Sequence, residues 1–93
     1  MPYQTYKAVN HVISYYKKEM KVDIDDSLVV QIVGEHENLM EYHENYPESI
    51  SKWYNSKNRL MVESFLSDKF PYVDSTTIEV VVEALQKYIK KRG

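Results

Sequence analysis

Residues 76–92 read TTIEVVVEALQKYIKKR, and this stretch decides the fold. Ile78, Val81, Val82, Leu85, Tyr88 and Ile89 recur three and four residues apart, which lays a single apolar stripe along a helix. Thr76-Thr77-Ile78-Glu79 has the pattern of a capping box, with a hydroxyl to accept from a first-turn N–H and a carboxylate to reach back. Lys87, Lys90, Lys91 and Arg92 load the other end, where cations offset the partial negative charge of the unpaired carbonyls. A helix over residues 75–91 is the consequence, and its apolar stripe needs other elements to cover it.

Working back along the chain, Phe70-Pro71-Tyr72-Val73-Asp74 reads as a turn, because the residue before a proline avoids the helical region. The stretch before it predicts a helix over residues 47–69, opened by Asn45-Tyr46-Pro47-Glu48, with Ile50, Trp53, Tyr54, Leu60, Met61 and Phe65 facing inward. Asn55-Ser56 is the place at which this helix could break in two. A helix over residues 26–45, capped by Asp25 or Asp26, carries Leu28, Val29, Ile32, Val33, Leu39, Met40 and Tyr46 on one arc. A first helix over residues 3–20 aligns Tyr6, Val9, Val12, Ile13, Tyr16 and Met20, and Lys17, Lys18 and Lys21 close it. The expectation is an all-α domain spanning residues 1–93, a compact four-helix bundle with short connections that favour antiparallel neighbours.

Composition agrees with this. The chain has 93 residues, enough for one core, and only two glycines and three prolines, too few for the turns of a many-stranded β fold. It has no cysteine, so disulfides, thiolate metal sites and a cysteine nucleophile are all excluded. The N-terminal MPYQTYKAVNH carries no apolar signal region and no apolar run approaches ~18 residues, so the expected setting is cytoplasmic, with no membrane partner. Asn, Lys, Tyr and Ile are all common, as in short proteins of AT-rich bacteria and their phages or plasmids.

Charge is segregated along the chain: residues 1–21 carry +3, residues 22–51 carry −8 and residues 52–93 carry +3. An acidic second helix lying between basic neighbours accounts for this, and so does an acidic face that receives a basic partner.

Catalytic patterns are missing: there is no glycine-rich phosphate loop, no GxSxG, and no spacing that singles out a carboxylate pair among fourteen acids. No catalytic residue and no cofactor is expected. His36 and His43 stand in the middle of the second helix's apolar arc, seven residues apart. They are either neutral side chains hydrogen-bonded inside the fold or part of a metal site. The metal reading is the poorer one, since two turns part the imidazoles by ~10 Å and Met40 stands where an HExxH motif needs its second histidine. No metal ligand set is therefore assigned.

The nine tyrosines and Trp53 fit protein contact, and Tyr15 and Tyr42 fall off the apolar stripes of their own helices. The expected function is that of a non-enzymatic regulatory or accessory protein, which self-associates or docks on a larger partner through Tyr15, Tyr42, Trp53 and the acidic Glu37, Glu41 and Glu44. The alternative is a nucleic-acid-binding regulator using Lys52, Lys57, Arg59 and Lys69 of the third helix with Lys87, Lys90, Lys91 and Arg92 of the fourth, against which stands a pI near 5.9. A metal-binding bundle through His36 and His43 comes third.

Overall fold

A helix with an apolar stripe is stable only where neighbours cover that stripe, and the buried side chains of the helices meet here in one core. The computed structural model describes the backbone of residues 3–42 and 52–92, and side chains over 6–40 and 52–91. Among these residues the chain is all-α, with α1 at Tyr3–Met20, α2 at Asp26–Tyr42, α3 at Ser56–Lys69 and α4 at Ser75–Arg92. Lys52 and Trp53 are helical as well. Helix α1 packs on α2 and α4, and α3 packs on α4 and α2, so the four enclose one core in a bundle-like arrangement. The radius of gyration is 12.2 Å, close to the ~12 Å of a compact chain of this length. No helix is long and apolar enough to cross a membrane among the described residues.

The core consists mainly of β-branched and aromatic side chains. Val9, Val12 and Tyr16 of α1, Val29, Ile32, Val33 and Met40 of α2, and Ile78, Val81, Val82, Ala84 and Leu85 of α4 are buried, with Ile24 tucked in from the first connection. The stripe of α4 is as its spacing implied. Tyr6, expected inside, is instead exposed, two residues before the buried part of α1 begins at Ala8.

The cap of α2 agrees with the sequence reading and that of α4 does not. Asp25 opens α2, its Oδ1 accepting from the Ser27 N–H at 3.0 Å. At α4 the cap is Asp74 and not the expected Thr76 box: Asp74 Oδ1 accepts from the N–H groups of Thr76 at 2.7 Å and Thr77 at 3.3 Å. A carboxylate just before the helix also favours the positive end of its dipole, which a threonine does not. The Thr77 hydroxyl lies instead 3.3 Å from the Tyr16 hydroxyl of α1.

The largest departure is at the third helix. The helix expected over 47–69 is interrupted at Tyr54 and Asn55, where the Asn55-Ser56 pair allowed a break, and Asn55 caps α3, its Oδ1 accepting from the Asn58 N–H at 2.9 Å. The start of the expected helix at Pro47, together with Ile50 and Tyr46, lies outside the described residues. The inner face is also rotated. Val62 and Leu66 are buried, whereas Leu60 and Met61, expected inside, are 67% and 41% exposed. Helix α3 has apolar residues on two opposite sides, so periodicity alone gives no unique inner face.

Two backbone positions offer room for stabilisation. Lys21 ends α1 at φ 63°, in the left-handed region that favours glycine, and Gly34 sits inside α2 where an added Cβ would meet nothing within 4 Å. Lys21→Gly and Gly34→Ala are each expected to raise stability by about 0.5–1 kcal/mol, read as a higher urea midpoint with unchanged slope. A lower midpoint for either would contradict the corresponding backbone geometry.

Candidate functional site

Interruption of the third helix has a consequence for the interior, because it turns Tyr54 inward. Tyr54 is fully buried, and its hydroxyl is 2.9 Å from Nε2 of His36, which is 3% exposed. The two rings are stacked at 5.7 Å and 22°, and Trp53 meets Tyr54 edge-on at 5.7 Å and 81°. Whether the hydroxyl donates to Nε2 or accepts from it follows from the imidazole tautomer. Burial disfavours the imidazolium and lowers the His36 pKa from 6.5 to about 4, while burial raises that of Tyr54 above the ordinary 10. Both groups are neutral at pH 7.

From Tyr54 a chain of polar contacts runs through all the helices. The Tyr54 carbonyl accepts from Gln86 Nε2 of α4 at 2.8 Å, and Gln86 Oε1 accepts from the Arg59 guanidinium of α3 at 3.2 Å. Arg59 also pairs with Glu63 at 3.3 Å and reaches Glu83 of α4 at 3.9 Å. Glu83 in turn accepts from the Tyr15 hydroxyl of α1 at 2.9 Å. Desolvation, followed by this bond and the Glu83 charge, pushes the Tyr15 pKa up to about 12. The network thus links His36 of α2, through Tyr54, to Gln86 and Glu83 of α4, Arg59 of α3 and Tyr15 of α1, and both of its tyrosines are protonated at pH 7.

Several expected site residues are placed differently by this geometry. Tyr15, expected to point away for a partner, is half-buried on the α1–α4 seam with its hydroxyl engaged by Glu83. The face of α1 that carries it is the one α4 covers, which the periodicity of α1 alone does not register. Trp53 is half-buried against the core, and Glu37 is half-buried. Glu41 and Tyr42 belong to the last turn of α2, but their side chains, like those of His43, Glu44 and Arg92, lie outside the described residues. Lys87, Lys90 and Lys91 are exposed along the end of α4. Arg59 and Lys69, assigned to the basic surface of the third helix, instead have acidic partners within the fold, Lys69 lying 3.9 Å from Glu35 of α2.

His11 was not singled out by sequence reasoning. Its ring lies 5.3 Å from that of Tyr88 and 6.2 Å from that of Tyr15, and its Nε2 is buried without a hydrogen-bond partner among the described residues. Burial lowers its pKa, with the Lys91 charge acting the same way and the Ala84 carbonyl opposing both. The available signal was its position one turn before Tyr15 on the same flank of α1. As for metals, the described residues place no three His, Asp or Glu groups around a common point, and His36 Nε2 is occupied by Tyr54.

Among the described residues, fold and network together define an all-α, four-helix bundle-like protein with a buried His36–Tyr54 pair and a Tyr15–Glu83 contact joining its helices. Compared with known proteins, the chain matches no family, no curated protein and no solved structure.

Proposed function

We propose that this chain is a small non-enzymatic interaction protein of the cytoplasm, regulatory or accessory in role, that associates with itself and docks on a larger partner. The observation that carries the reading is the pair Leu60 and Met61, adjacent on α3 and exposed on the side opposite its buried Val62 and Leu66. Tyr6, Val22 and Tyr72 are exposed singly, which is ordinary for a soluble domain; neighbouring apolar side chains on one helix face are not needed by the core. The non-enzymatic part is supported by three of the shifted groups: His36 pairs with Tyr54 and Tyr15 with Glu83, which leaves each with a structural partner in place of a substrate, while His11 stands apart with its Nε2 unpartnered among the described residues. The richness in Asn, Lys, Tyr and Ile fits a phage- or plasmid-borne gene.

Nucleic acid is the second reading, carried by exposed Lys87, Lys90 and Lys91 on one helix end. It is disfavoured because Arg59 and Lys69 are held by Glu63, Glu83 and Glu35. Light scattering over a hundredfold concentration range tests the first reading: the mass is expected to rise above 11.1 kDa. A constant monomer mass would reject self-association, and sequence-selective DNA binding at physiological salt would put the second reading first.

A further inference from the structure

We propose that the outward face of α3 is a two-fold docking surface for a second copy of this chain, with the two α3 helices running in opposite directions. This rests on the self-association reading above and adds the surface and the orientation. At ~100° per residue, Lys57, Leu60, Met61, Ser64 and Asp68 fall on one stripe of α3. All five are exposed, and the stripe lies opposite Val62 and Leu66, which face the core. Leu60 and Met61 put apolar surface at its middle, and Ser64 beside them is small enough to let another backbone approach.

Charge selects the occupant. Lys57 and Asp68 stand at the two ends of the stripe, eleven residues and ~16 Å apart. Neither forms an ion pair among the described residues, unlike Arg59, Glu63 and Lys69 of the same helix. An antiparallel copy sets Lys57 against the partner copy's Asp68 at one end and repeats the pair at the other, while it joins the two Leu60–Met61 patches between them. A parallel copy would set lysine on lysine and aspartate on aspartate. The face is therefore self-complementary in the sense a two-fold interface requires. Five side chains on one helix cover less than the ~800 Å² per partner of a standard interface, so the dimer belongs to the transient class and depends on concentration.

Sedimentation velocity on the full chain, at rising concentration and in low salt, tests this. Leu60→Glu is expected to abolish dimerisation. Lys57→Glu and Asp68→Lys are each expected to weaken it about tenfold, because two-fold symmetry turns two attractive pairs into two repulsive ones. The double variant Lys57→Glu/Asp68→Lys is expected to restore it. Circular dichroism melting serves as the control, since substitutions on this exposed stripe leave the core intact and the melting temperature within a few degrees. A dimer indifferent to all these substitutions would overturn the surface while self-association stood. Loss of the dimer in Leu60→Glu without rescue in the charge-swapped double variant would overturn the antiparallel arrangement. A monomer at every concentration would overturn both this proposal and the reading beneath it.

Discussion

Acidification from pH 6.5 to 5 is expected to remove about 2 kcal/mol of folding stability through His36 alone, and His36→Leu is expected to flatten most of that slope. The unfolded imidazole takes its proton near 6.5, whereas burial holds the folded one at about 4. Above 6.5 both states are neutral and the contribution is fully present. As pH falls below 6.5 the unfolded chain binds a proton that the folded chain refuses, and each unit removes about 1.4 kcal/mol until the folded pKa is reached. The full loss would be roughly 3 kcal/mol, but carboxylates begin to titrate below about pH 5, so the upper part of the range is the cleaner window. Urea unfolding at pH 7, 6 and 5 measures it. The slope is the quantity to compare, because His36→Leu also leaves the Tyr54 hydroxyl without its partner and lowers the level by about 1–3 kcal/mol at every pH. His11 shifts in the same direction, so a small residual slope is expected in the variant. An unchanged slope in His36→Leu would mean that the imidazole is not held neutral in the core.

Tyr54→Ala is expected to be the most damaging single substitution, costing about 3–5 kcal/mol. The side chain is fully buried, stacked on His36 and met by the edge of Trp53, so truncation removes a ring, opens a cavity and orphans a buried nitrogen. Domains of this kind are stable by only about 5–15 kcal/mol, so the variant should unfold at a much lower urea midpoint, or fail to fold at ambient temperature. Tyr54→Phe separates the causes. It keeps the ring and removes the hydroxyl, with an expected cost of about 1–3 kcal/mol. Combined with His36→Leu its effect should be less than additive, since the two share one hydrogen bond. A cost below about 1 kcal/mol for Tyr54→Ala would show that the ring is not part of the core.

The sequence by itself determined where most helices lie and which side of them is apolar. In α4 the spacing of Ile78, Val81, Val82 and Leu85 permits one buried face and no other, and all four are buried. The bounds of α1 and the cap at Asp25 were legible for the same reason, being set by contacts within four residues along the chain. His36 is legible in the sequence as a polar group within an apolar arc, and it is buried there against Tyr54. The tertiary structure alone decided what lies across from each stripe. Helix α3 offers Leu60 and Met61 on one side and Val62 and Leu66 on the other, and the choice falls to distant partners: Arg59 reaches Gln86, 27 residues on, while Gln86 holds the Tyr54 carbonyl, 32 residues back. Tyr15 likewise met Glu83 across 68 residues. Periodicity registers only neighbours within a turn or two, whereas burial is settled by which surfaces meet when the helices pack; that meeting turned Tyr54 onto His36 and left the outward stripe of α3 uncovered.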